Sequence, residues 1–150
     1  MEIRFEEAHD LVAIRSLLIS AFGGPGEAGL VDAMVAVEQN EIVGHVMYSR
    51  LEAQIRAVAL APIAVAPARQ GRGVGSALIA AGNAEATRRG FDVVLVLGDP
   101  AFYRRFGFDP DLAKALECNY AGPYLMLKPL LPQCHAEGRV EYPRAFGALQ

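Results

Sequence analysis

Cysteine is scarce in this chain. Cys118 and Cys134 are the only two in 150 residues. That is too few for a disulfide framework, and neither stands in a Cys-x-x-Cys pair or a Cys/His cluster with zinc-ligand spacing. Both are expected to be free thiols. No metal site is expected, because His9, His135 and the cysteines share no ligand spacing. Long apolar runs are missing as well. None approaches the roughly 20 residues that cross a bilayer, and Met1-Glu2-Ile3-Arg4 lacks the basic and apolar regions of a signal peptide. The expectation is a cytoplasmic protein with no membrane partner. Nor is there an excess of positive charge: Lys and Arg total 14 against 17 Asp and Glu, a net charge of −3. With no basic stripe and no aromatics interleaved with cations, nucleic acid is not an expected partner. No internal repeat or low-complexity segment interrupts the sequence. What the chain does have is apolar content, 53% of residues, enough to bury a core without covalent staples. Residues 1–150 are expected to form one domain.

Periodicity divides the chain into short elements. Leu11, Ile14, Leu17 and Leu18 share one helical face, with Asp10 placed to cap it. The cluster Gly23-Gly24-Pro25-Gly26 breaks that helix and could border a substrate entrance. Leu30, Val31 and Met34 suggest a second, shorter helix. Val35 and Val37 open a strand, Asn40-Glu41 mark a turn, and Ile42 to Tyr48 return antiparallel. A strand follows from about Arg56 to Ala66. The next helix extends to about Arg89, with Arg88 and Arg89 in its last turn and Gly90 beyond. Its alanines Ala77, Ala80, Ala81 and Ala84 allow close approach to a sheet. The unbroken apolar run Val93 to Leu97 suits a strand covered on both faces, so strand, helix and strand make a right-handed parallel crossover. Asp99 and Pro100 read as the cap and first residue of a short helix stopped by Gly107. Tyr124 to Lys128 and Gly138 to Tyr142 are expected as late antiparallel strands.

The stretch Arg69-Gln70-Gly71-Arg72-Gly73-Val74-Gly75-Ser76, between the strand and the long helix, reads as a phosphate-binding turn. Alternating glycines let the backbone approach a ligand so that several N–H groups serve one anion, and the following helix points its positive end there. Arg69 and Arg72 can add charge-assisted hydrogen bonds. The expected ligand carries a pyrophosphate. A nucleotide-hydrolase loop would close on Lys-Ser or Lys-Thr, and here the stretch ends Ser76-Ala77-Leu78. The dinucleotide fingerprint needs a glycine at Ser76 or Leu78 and is broken.

Gln70-Gly71-Arg72-Gly73-Val74-Gly75 does match, position for position, the Gln/Arg-x-x-Gly-x-Gly/Ala turn, and through it the chain resembles the GNAT superfamily of acyl-CoA-dependent N-acyltransferases. Leu60 to Pro67 resembles that family's central strand ending in a proline before the turn. Tyr103-Arg104-Arg105-Phe106-Gly107-Phe108 resembles its second signature, a short tyrosine-bearing helix closed by Gly-Phe. The Leu97-Gly98-Asp99-Pro100 lead-in is most similar to a bacterial branch of predicted N-acetyltransferases. These segments cover about half the chain in the family's order. The resemblance implies a mixed α/β fold: a mainly antiparallel twisted sheet with one central parallel strand pair, flanked by helices.

It also implies roles. Acetyl-CoA would be the co-substrate, its pantetheine arm held by the main chain of Ile63, Ala64 and Val65. Its pyrophosphate would be held by Gln70, Gly71, Arg72, Gly73, Val74, Gly75 and Ser76. An amine, on a small molecule or a protein, would attack the thioester directly. The N–H of Val65 would stabilise the oxyanion, and Tyr103 would protonate the departing thiolate. Where that family commonly has an asparagine opening the tyrosine helix, this chain has Asp99, read as a cap. The general base stays open among Glu38, Glu52, His45 and a water relay, His45 being placed on a strand face with Val43 and Met47. The competing reading is a non-catalytic acyl-CoA-binding regulatory module. Monomer and homodimer both stay open.

Overall fold

In the computed structural model, which describes residues 1–10, 30–132 and 134–142, six strands form one sheet. In chain order these are β1 (Glu2–Phe5), β2 (Leu30–Glu38), β3 (Glu41–Arg50), β4 (Ala57–Val65), β5 (Val93–Leu97) and β7 (Leu125–Pro129). Two short strands, β6 (Leu116–Glu117) and β8 (Gly138–Arg139), pair separately. The large sheet has the order β1-β2-β3-β4-β5-β7 and is antiparallel at every step except β4–β5. A parallel step cannot be closed by a hairpin, and helix α1 (Val74–Arg88) makes the crossover. Helix α2 (Pro100–Tyr103) follows β5.

The β2–β3 hairpin turns on Gln39 and Asn40, with φ of 51° and 64°. Two left-handed residues match the twist of the strands they join. The turn therefore sits one residue before the expected Asn40-Glu41. The second helix expected from Leu30, Val31 and Met34 is a correction: β2 already begins at Leu30, and Asp32, Ala33 and Met34 stand opposite Tyr48, Met47 and Val46 of β3. Over five residues an apolar pattern cannot separate helix from strand, and pairing with β3 decides. The helix expected over Leu11 to Leu18, and the break at Gly23 to Gly26, lie outside the described residues. Asp10 itself closes a 3-10 turn, Ala8–Asp10. Its carboxylate accepts from both Arg4 terminal nitrogens at 2.7 and 2.9 Å and from the Glu7 N–H at 2.8 Å.

Two apolar layers sandwich the sheet. On one face α1 packs Leu78 and Ile79 against Val46, Tyr48, Val58 and Leu60. Gly82 admits the Tyr48 ring, since a Cβ there would stand 2.1 Å from Tyr48 Cε1, and the Tyr48 hydroxyl donates to Asn83 Oδ1 at 2.8 Å. On the other face Leu51, Ala59, Leu95, Leu125 and Leu127 are covered by Ala113, Leu116, Ala136 and Val140 of the C-terminal part. Each aliphatic side chain taken fully out of water contributes roughly 1.5–3 kcal/mol. That covering segment holds a second correction. Gly138 to Tyr142 does not form an antiparallel strand: β8 runs parallel to β6, and the only antiparallel contact in this stretch, among the described residues, is the bridge Glu52↔Glu141. Strands of two residues carry no alternation for a sequence to display.

Candidate functional site

β4 and β5 start side by side and then part. Their register covers Ala57↔Val93, Val58↔Val94 and Ala59↔Leu95. Beyond it β4 runs on to Val65 and β5 to Leu97 without pairing to one another. Burial changes at the same place, Ala57 to Leu60 being buried and Ala61 to Val65 half-buried. The cause is visible in the pairing with β3, where Val46 stands opposite Ile63 but Tyr48 stands opposite Leu60. β4 thus carries one residue more than β3, a bulge at Ala61-Pro62. A bulge bends the strand that bears it, and proline fits there because its missing N–H breaks no ladder bond.

Alternation of the ladder then decides which main-chain groups face the gap. The Ala66 N–H donates to the Val43 carbonyl at 2.8 Å. In an antiparallel pair, hydrogen-bonded and non-bonded positions alternate, so Gly44–Val65 is non-bonded, His45–Ala64 bonded and Val46–Ile63 non-bonded. The N–H and C=O of Ile63 and Val65 therefore turn away from β3 toward the gap. Those of Ala64 turn to His45. The Val65 carbonyl accepts from Gln70 Nε2 at 3.1 Å, which ties the strand end to the following turn.

In that turn Gly71 and Gly73 have φ of 76° and 84°. A Cβ at either would meet nothing within 4 Å, so glycine is required there by conformation and the space above is open. The N–H groups of Gly71 to Ser76 make no turn or capping hydrogen bond among the described residues; the first is from Ala77 to the Gly73 carbonyl, 3.0 Å. Unpaired donors at the positive end of a 15-residue helix suit an anion, and the pyrophosphate of a CoA fits that chemistry. At Gly75 neither conformation nor space demands a glycine, and its neighbours mark a junction. A Cβ on it would lie 3.8 Å from Phe102 Cζ and Val65 Cγ2 and 3.9 Å from Ile63 Cδ1, so here α1 passes the strand end and α2 together. Val74 is buried against Gly44, and Ser76 is half-buried. Arg72 is exposed. Arg69 is not free, because its Nε binds Glu38 Oε2 at 2.9 Å.

Asp99 Oδ1 accepts from the Ala101 N–H at 2.9 Å and Pro100 opens α2, as the sequence predicts. A 3-10 turn, Arg104–Phe106, ends at Gly107 with φ 91°. Tyr103 stacks edge-on with Phe102 and Phe108, at 4.9 and 5.9 Å between ring centres. Its ring lies over Gly98, where a Cβ would be 2.4 Å from Cε2. Since Gly98 directly follows β5, the phenol stands where the gap opens. Its hydroxyl bonds no group among the described residues, and burial pushes its pKa up, so at neutral pH it keeps its proton.

The base candidates are placed apart. Glu38 is engaged by Arg69. Glu52 is exposed on the bridge to Glu141. His45 is fully buried; its Nε2 meets Glu6 Oε2 at 3.1 Å and its Nδ1 has no partner among the described residues. Burial pushes the His45 pKa down, against the opposing pull of the Glu6 carboxylate. The face expected for it also needs correction. A register shift between Ala36/Gly44 and Val37/Ile42 puts Val43 in the α1-facing core, and it is Ile42 that packs with Val35 and Ala64, the residues flanking His45. Sequence reasoning missed Glu6, the Gln70 side-chain tie and the stacking of the Arg105 guanidinium over the Phe102 ring. The last was legible, because Phe102 and Arg105 are three apart in a short helical run and so share a face.

Residues 31–110 match the family model of the acetyltransferase (GNAT) domain, and the chain belongs to this family of acyltransferases. It is 32% identical over 136 residues to YhbS of Escherichia coli K12, described as an uncharacterized N-acetyltransferase, with 81% of each chain covered. The structure of E. coli YhbS in complex with CoA superposes with a TM-score of 0.85 at 28% identity, covering 97% of this chain and 91% of that one. A GNAT acetyltransferase from Brucella melitensis in complex with acetyl-CoA gives 0.76 at 28% identity, covering 97% of both. Aminoglycoside 6′-acetyltransferase type Ii, at 19% identity, a TM-score of 0.68 and coverage of 89% and 100%, shares the fold alone.

Proposed function

We propose that this chain transfers the acetyl group of acetyl-CoA to a primary amine, on a small molecule or a protein, with no covalent enzyme intermediate. The observation that carries the reading is the stretch of β4 that has parted from β5, with the main chain of Ile63 and Val65 turned into the gap beside a turn of unpaired N–H groups. The pantetheine amides would pair with Ile63 and Val65, and the pyrophosphate would lie on Gly71 to Ser76. In the reaction the amine lone pair attacks the thioester carbon, and charge collects on the carbonyl oxygen, which the Val65 N–H would hold. The C–S bond then breaks, the thiolate takes the Tyr103 proton, and the amine loses its own proton. With Glu38 paired and His45 buried, that proton would leave through water to a more distant carboxylate.

The scarcity of a free base at the strand ends among the described residues also favours a second reading, a CoA-binding regulatory module, and an acceptor screen with thiol-release detection separates the two. The first test is binding. CoA should raise the melting temperature with the logarithm of its concentration above Kd, while ATP and NAD should do little. Gly73→Glu should abolish the CoA response. Gly73→Ala, which carries the same backbone strain of roughly 1–2 kcal/mol without the charge, should keep most of it. An equal response to NAD would sink the assignment.

A further inference from the structure

The sequence offers Arg69 and Arg72 as the cations beside the glycine turn, but Arg69 is already neutralised by Glu38. A third cation stands on the opposite wall of the gap. Arg105 is exposed and makes no ion pair among the described residues. Its guanidinium lies over the Phe102 ring, 5.1 Å from the ring centre, and 5.9 Å from that of Phe106. These two rings are themselves in edge contact at 5.3 Å. Phe102 in turn points its Cζ edge at Gly75, in the first turn of α1. A flexible cation is thus seated on an aromatic shelf one ring away from the unpaired N–H groups, and stacking leaves the edge of a guanidinium, with its donors, free to bind.

Resting on the CoA reading above, we infer that Arg105 is a phosphate-binding residue, gripping the ADP portion of CoA from the β5 side while the glycine turn and Arg72 hold it from the β4 side. Its phosphate could be the pyrophosphate or the 3′-phosphate, which present the same anionic oxygens.

Calorimetry on the full chain with CoA, 3′-dephospho-CoA and pantetheine tests this. For Arg105→Ala the expected loss is on the order of 10-fold in CoA affinity, the size of a charge-assisted hydrogen bond, with an unchanged melting temperature and no loss toward pantetheine. Arg105→Lys, which keeps the charge and loses the planar fork, should fall between. The same loss with 3′-dephospho-CoA assigns the contact to the pyrophosphate, and its disappearance assigns it to the 3′-phosphate; either supports the inference. Unchanged CoA affinity, an equal loss toward pantetheine, or an equal loss from Arg104→Ala, a neighbouring exposed cation, overturns it. Failure of the wild-type chain to bind CoA at all overturns the proposed function as well, so the two failures are distinguishable.

Discussion

The same two strands, β4 and β5, make a closed and an open stretch of the sheet. From Ala57 to Ala59, β4 is laddered to β5 and buried; from Ala61 to Val65 it is laddered only to β3 and half-buried. Both ends are apolar in sequence, so hydrophobicity does not separate them. One extra residue in β4 does. The closed end shows what the sequence yields when pairing and packing agree, and the open end shows how a bulge parts the same kind of apolar strand from its neighbour.

Truncation should be felt unequally at the two ends. Leu95, fully buried at the last paired position, should lose about 2–5 kcal/mol on Leu95→Ala. Ile63→Ala, half-buried at the open end, should lose clearly less; urea midpoints on both variants decide, and equal losses would mean that the two ends are packed alike. Chemistry should show the reverse dependence. Tyr103→Phe keeps the ring over Gly98 and removes the only proton its side chain can give, so turnover with an identified acceptor should fall on the order of 10²-fold while CoA affinity stays. Steady-state rates and calorimetry check the split, and equal turnover would leave Tyr103 a packing residue. The smallest effect concerns the underside of the open end. His45 has a folded pKa below its ordinary 6.5, so the folded state binds fewer protons than the unfolded chain. Stability should therefore be full above pH 6.5 and decline as pH falls below it. Asp10, lowered from 3.8 to about 2 by Arg4, adds a separate loss as pH falls from 3.8 toward 2. In His45→Gln the first decline should vanish and the second persist.

The closed end was legible in the sequence. The run Val93 to Leu97 and the stop at Gly90 each carry a local signal, and each is where the sequence puts it. The open end was legible only through its resemblance to a family. A bulge at Ala61-Pro62 depends on how β3 and β4 count residues against one another, and the orientation of Ile63 and Val65 depends on a bond between Ala66 and Val43, 23 positions apart. The bonded state of Glu38 and the burial of His45 likewise come from partners distant in sequence. Leu30 to Met34 failed for the same reason, since its strand state is conferred by β3.

The alternation that turns Ile63 and Val65 into the gap has an evolutionary consequence. Amide N–H and carbonyl groups are common to nineteen of the twenty amino acids, proline lacking only the donor, so the recognition proposed for them would place no demand on side-chain chemistry at these positions. Proline is the exception, because at Ile63 or Val65 it would remove a donor turned into the gap. This chain shares 28% of its residues with a CoA-bound relative and superposes on it with a TM-score of 0.85, and a cleft that worked through its main chain would tolerate that divergence.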